Sequence, residues 1–254
     1  MLKWRCVEQL TKQGFMQNRD RKLSCNFVKT FTMKGLNSLL RQMDLAQLFE
    51  ARRNLYQFLL RMFHGPLDQK WLDAILEFGD VGGLGELGNG GADLQDFFKG
   101  NPCLKKEARE FSRLFIGPGT LPVPPWESFY RSCEQMLFDD VMYGVREHYH
   151  REGLQFVREN NEPDDHLAVE LEFMLHLIVK GIQAKENEEL FRNLEKQRGF
   201  LDVHLAQWIG AFGKRLAHST DSKLYKGAAL LAADFIASDL DFLNELVEGL
   251  SHAG

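Results

Sequence analysis

The run Glu162-Pro163-Asp164-Asp165-His166-Leu167-Ala168-Val169-Glu170 places four carboxylates and an imidazole within nine positions. Carboxylates match a guanidinium group through bidentate, charge-assisted hydrogen bonds, so an acidic turn is a natural acceptor for an arginine side chain. The same residue types also open helices. Asn161 or an Asp can cap, Pro163 is tolerated in a first turn, and carboxylates favour the positive end of the helix dipole. Capping alone does not require a His after the two Asp residues, nor Glu170 one helical turn later on the same face. Because Pro163 fixes the entry of the chain, Glu162, Asp164, Asp165 and His166 are expected to be presented together. Both readings, cap and arginine acceptor, stand at this point.

Three other patterns suggest chemistry and lack its context. Gly83-Leu84-Gly85-Glu86-Leu87-Gly88 fits the dinucleotide fingerprint G-x-G-x-x-G, which works where a strand turns into a helix against a pyrophosphate. Here Trp71 to Phe78 reads as helix and no βαβ unit surrounds the glycines. Arg52-Arg53 followed by Leu55, Phe58, Leu59 and Leu60 imitates a twin-arginine export signal, but it lies far into the chain and Arg61 cuts the apolar stretch short. It is read instead as a helix with its charges on the outer face. His148 and His150 stand at i and i+2, which point to different sides of a helix and do not share a metal easily. No P-loop and no G-x-S-x-G elbow is present.

The elements that must position these residues are helical. Apolar residues recur at helical spacing from Leu36 through Leu40, Met43, Leu48, Leu55, Leu59 and Phe63, with a possible break near Asp44, until Gly65-Pro66 stops the run. Further helices are predicted at about 66–78, 103–116, 127–152, 164–180, 184–198, 201–218 and 221–250, with Gly153, Gly181 and Gly199 as left-handed stops. In the helix after the acidic turn, Leu167, Leu171, Met174, Leu175 and Ile178 form the buried stripe. No hairpin signal and no alternating β-branched run is found, so the fold class is all-α. The segment Gly79–Gly91 reads as a flexible, dispensable loop. The segment Gly117–Trp126 cannot be helical, because three of the four residues 122–125 are prolines.

The 254 residues, 44% hydrophobic and 26% charged, describe an ordinary globular chain that buries roughly 70% of its unfolded surface in one large domain. The net charge of −5 is unevenly spread. Residues 1–32 carry Lys3, Arg5, Lys12, Arg19, Arg21, Lys22 and Lys29 against Glu8 and Asp20, a net +5. This stretch reads as a basic, flexible N-terminal extension, and Met33, where periodicity begins, is a candidate for the true start of a helical domain 33–254. The remaining acidic body argues against nucleic acid and is compatible with a cationic partner. Cys6, Cys25, Cys103 and Cys133 stand alone, as reduced thiols of a cytosolic protein would. No apolar run reaches the length of a membrane span, and the N-terminus lacks the apolar stretch of a secretory signal.

Glu162-Pro163-Asp164-Asp165-His166, followed by Glu170-Leu171, resembles the E-P-x-D-H signature of the TorD/DmsD family. Leu114-Phe115-Ile116-Gly117-Pro118, continuing through Leu121-Pro122-Val123-Pro124-Pro125-Trp126-Glu127-Ser128, resembles the family's F-x-G-P segment and Pro-rich turn. The two occur in the family's order, and with the helical pattern the similarity covers about residues 38–245. The resemblance implies a single multi-helix cytoplasmic chaperone of molybdopterin oxidoreductases, such as the dimethyl sulfoxide or trimethylamine oxide reductases. It implies no cofactor and no catalysis of its own, and a monomer or a domain-swapped dimer. Family members bind the twin-arginine leader of the precursor and hold back export until the enzyme's cofactor is inserted. By that resemblance Asp165 and His166 match residues implicated in leader binding, and Pro124, Pro125, Trp126 and Glu127 match the neighbouring turn. With Glu162, Asp164 and Glu170 they make the expected peptide-binding set. An apolar groove would take the leader's hydrophobic stretch and the acidic turn its arginines. Trp126 is either a cation-π partner worth about 0.5–2 kcal/mol or a core residue pinning the turn. The basic arm and the Gly-rich segment depart from the family. Two rival readings are a nucleotide-hydrolysing enzyme, since GTP binding has been associated with the family, and a helical scaffold that docks the folded reductase without reading its leader.

Overall fold

A computed structural model describes residues 45–79, 81–132 and 139–251. The expectations for residues 1–32 and for a boundary at Met33 lie outside the described residues, as do Cys6, Cys25 and Cys133; Cys103 is an exposed free thiol. The described chain is built from α1 (Leu45–His64), α2 (Gln69–Phe78), α3 (Gly88–Lys99), α4 (Leu104–Phe115), α5 (Glu127–Arg131), α6 (Asp140–Arg151), α7 (Leu167–Gln183), α8 (Asn187–Phe200), α9 (Ala206–Ser219) and α10 (Lys223–Ser251). A 3-10 turn, Gly83–Glu86, precedes α3, and a π-helical segment, Leu201–Leu205, joins α8 to α9. Among the described residues there is no strand, only an isolated antiparallel bridge between Trp126 and His166.

The central element is α7. Its predicted stripe of Leu167, Leu171, Met174, Leu175 and Ile178 is buried, and so are Phe173, Leu177 and Val169, so the helix is covered nearly all round. It packs between α1 and α8, while α10 packs along α3 and α9. Local chemistry sets the ends. Asp68 accepts the Trp71 amide at 2.8 Å to start α2, and Asp139 accepts the Met142 amide at 3.2 Å to start α6. Just past α1, Arg61 donates to the carbonyls of Gly65 and Pro66 and so holds the segment that leads into α2. Gly153, at φ +72°, ends α6 as expected.

Several expectations are corrected. Gly181 and Gly199 lie inside α7 and α8 rather than at their ends. The predicted helix 127–152 is interrupted after Arg131, where Ser132 turns extended. Arg52 is not on an outer face but 1% exposed. Its guanidinium binds both oxygens of Asp239 at 2.5 and 3.0 Å and also Gln197 at 2.8 Å, tying α1 to α10 and α8. The Gly-rich segment is not a flexible loop throughout. It forms the 3-10 turn and the first turn of α3, and a Cβ on Gly90 would stand 2.5 Å from the Leu231 amide nitrogen and 2.7 Å from the Gly227 carbonyl. The glycines let the backbones of α3 and α10 touch, which offsets the poor helix propensity of glycine, about 1 kcal/mol each. Gly83, Gly85 and Gly88 of the fingerprint follow α2, a helix, and not the strand that a dinucleotide site requires.

Candidate functional site

The two sequence motifs meet. Residues 125–128 and 165–167 run antiparallel for a single bridge, in which the Glu127 amide donates to the Asp165 carbonyl at 3.0 Å and the Leu167 amide to the Pro125 carbonyl at 2.9 Å. The rigid prolines hold the first segment extended, and Pro163 and the cap geometry hold the second. The residue that caps α7 is His166, not Asn161 or an Asp. Its backbone is extended and its Nδ1 accepts the Ala168 amide at 3.1 Å. The pairing with the Pro-rich turn delays the helix to Leu167.

The carboxylates are not presented to solvent. Asp164, Asp165, Glu127 and Glu170 are each 0% exposed. Asp164 holds Arg146 of α6 through both oxygens, at 2.8 and 3.3 Å, and its carbonyl accepts the Tyr149 hydroxyl at 3.2 Å. Asp165 accepts the Ser128 amide at 2.7 Å, while its second oxygen has no partner. Burial pushes the Asp165 carboxyl up to about 6, against the opposing bond from Ser128. Burial likewise raises Asp164, opposed by Arg146. Glu127 pairs with Arg131 one turn on and with His204 Nδ1 of the π-helical segment at 3.0 Å. Glu170 does not share a surface with His166. It accepts the Trp208 indole N–H at 3.2 Å, and burial, reinforced by Glu127 and Asp165, holds its carboxyl well above the usual range. The acidic groups are clamps that join α5, α6, α7 and α9. Of the nine expected peptide-binding residues only Glu162 is an exposed carboxylate, and it is paired with Arg158.

What the clamps place at the surface is an aromatic pair. Trp126 and His166 are both half-buried, their rings edge to face with centroids 5.8 Å apart; Pro124 and Pro125 are buried beneath. Burial, with the charge of His64, lowers the His166 imidazole to about 4, so it is neutral at pH 7. With Nδ1 accepting the Ala168 amide, the proton sits on Nε2. The pair therefore offers an apolar indole face beside a neutral N–H donor, which suits an apolar side chain and a backbone carbonyl.

Sequence reasoning missed Arg146, Tyr149, Ser128, His204 and Trp208. They come from α5, α6, the π-helical segment and α9, and none carries a spacing signal. Arg146 and Tyr149 do share one face of α6 at i, i+3, but nothing in the sequence names Asp164 as their target. His148 and His150 diverge as expected. His148 packs its ring 5.1 Å from His204, while His150 pairs with Glu159 at 2.9 Å. Among the described residues no group of three or more His, Cys, Asp or Glu could hold a metal ion, and no helix is long and apolar enough to cross a membrane.

Comparison with known proteins places this geometry. The family model described as nitrate reductase delta subunit matches residues 85–213, just over half of the chain and the stretch that holds both motifs. The chaperone protein TorD of Vibrio cholerae serotype O1 is 32% identical over 141 residues, covering 56% of this chain and 64% of the relative. A Haemophilus influenzae protein described as a "probable Tat proofreading chaperone DmsD" is 29% identical over 122 residues, covering 48% of this chain and 54% of its own length. The matched stretch thus spans less than two thirds of these relatives. A solved structure from Archaeoglobus fulgidus, provisionally assigned as a redox enzyme maturation protein, aligns with 77% of this chain and 96% of its own at 22% identity and a TM-score of 0.46. By the extent of the family match, and with the two motifs joined at one bridge, the chain belongs to the nitrate reductase delta subunit family, that of the TorD and DmsD chaperones.

Proposed function

We propose that the protein is a cytoplasmic chaperone that binds the twin-arginine leader of a molybdopterin oxidoreductase precursor and assists its maturation, without catalysing a reaction. Family membership supports the chaperone role, and the Haemophilus relative's description supports proofreading for twin-arginine export. The observation that carries a peptide contact is the Trp126–His166 pair, held at the surface by buried carboxylates that are already partnered. In this reading Trp126 and His166 touch the leader's apolar stretch. Pro124 and Pro125 set the angle of the turn, and Glu127, Asp164, Asp165 and Glu170 position it from below. Glu162 stands at the edge, within reach of a leader cation. A nucleotide-hydrolysing alternative has less support, since the glycines that imitate its fingerprint follow a helix, α2, and form a 3-10 turn where the fingerprint needs a strand running into a helix.

Calorimetric titration with a synthetic twin-arginine leader tests the proposal. Trp126→Ala should weaken binding by about 1.5–3 kcal/mol for the lost apolar burial, and His166→Ala by about 1 kcal/mol for the lost donor. Leader affinity unchanged in both variants, with the fold intact, would show that the pair is not the peptide contact.

A further inference from the structure

Between α1, the 3-10 turn with the start of α3, and α10 lies a groove of about 430 Å³. Its floor is apolar, from Leu55, Leu87 and Leu231, all nearly fully buried. Its rim carries three exposed carboxylates, Glu86, Asp234 and Asp241, and no Lys or Arg lines it. Nearby acids on the same helices are neutralised: Asp96 by Lys223 at 2.7 Å and Asp93 by Lys226 at 3.8 Å. Among the described residues, none of the three rim carboxylates is in an ion pair. An apolar floor ringed by like charge calls for an occupant that is both cationic and apolar.

The chain carries such a segment. Residues 1–32 have a net charge of +5 and interleave their cations with Trp4, Phe15, Met16, Phe27 and Phe31. The described chain begins at Leu45, in the helix whose Leu55 forms part of the floor, about 15 Å further along at 1.5 Å per residue. Residues 33–44 can span up to about 40 Å, so the basic stretch is within reach. We propose that this groove is the docking site of the chain's own residues 1–32, with their cations on Glu86, Asp234 and Asp241 and their apolar side chains on the floor. Tethering gives the segment an effective concentration of about 1 mM, so individually weak contacts fill the groove.

Two measurements on the full-length protein test this. A zero-length carbodiimide at low salt should join Lys12, Lys22 or Lys29 to the rim carboxylates, as located by peptide mass mapping. In a mixture of normal and nitrogen-15 chains the joined peptides should come from one chain. At about 1 M salt, where screening acts within about 3 Å, the products should disappear. Separately, a synthetic peptide of residues 1–32 should bind the chain carrying Arg19→Glu, Arg21→Glu and Lys22→Glu about tenfold more tightly than wild type, whose groove is already filled from within. The proposal is overturned by cross-links scattered over other acidic surfaces, by cross-links between isotopically different chains, or by equal peptide affinity for both proteins.

Discussion

At neutral pH the Asp165→Asn variant keeps the hydrogen-bonding shape of the turn and loses a buried charge. In the folded protein this carboxyl is pushed from 3.8 up to about 6, chiefly by burial. A carboxyl raised on folding binds its proton more tightly in the native state than in the unfolded chain. Its stabilising effect is therefore complete below about pH 4 and is lost as pH climbs to about 6, beyond which the loss is constant. The gap of about two pH units, at 1.36 kcal/mol each, amounts to about 3 kcal/mol as an upper bound. An Asn side chain still accepts the Ser128 amide that Asp165 accepts at 2.7 Å, and it does not titrate. Urea unfolding of both proteins at intervals from pH 4 to 7.5 should show the variant gaining on wild type across this window, by up to about 3 kcal/mol, and the difference should flatten above pH 6.5. Leader titration in parallel should find affinity nearly unchanged, because the carboxylate faces Ser128 and not solvent. A pH-independent stability difference would refute the burial argument. A loss of about 1.5–3 kcal/mol in leader binding with stability unaltered would instead make Asp165 the direct reader of an arginine.

Arg146→Met leaves Asp164, 0% exposed, without its cation and should cost about 3–5 kcal/mol in urea unfolding; an effect below about 1 kcal/mol would mean the pair is not a clamp. Gly90→Ala forces a methyl group against the Leu231 and Gly227 backbones and should destabilise by about 1–3 kcal/mol. Gly210→Ala, exposed in α9 with nothing within 4 Å of the added atom, should instead stabilise by about 0.5–1 kcal/mol, and thermal unfolding of the two variants shows whether their signs differ. Burial pushes Glu172, 7% exposed, up to about 7, so Glu172→Leu should raise stability more at pH 8 than at pH 5; the opposite order in the same denaturation series would contradict it.

The all-helical class was legible because amphipathic spacing is local: Leu167, Leu171, Met174, Leu175 and Ile178 mark one face of α7 whatever packs on it. The Pro-rich turn and the acidic turn were legible for the same reason, since proline restricts its own backbone and that of its neighbour. What the sequence could not supply was direction and partner. The carboxylates of the acidic turn looked like a surface acceptor, and only the tertiary structure turns them inward, onto Arg146 and the Ser128 amide, while Glu170 turns to Trp208. Arg52 read as an outer charge because its partner Asp239 lies 187 residues away. The helix α3 was missed because glycine disfavours helices in isolation, and its reward, contact between two backbones at Gly90 and Gly227, exists only once α10 is in place. Periodicity and backbone restriction are properties of neighbours along the chain, whereas burial of a charge is decided by residues from four separate helices arriving at one point.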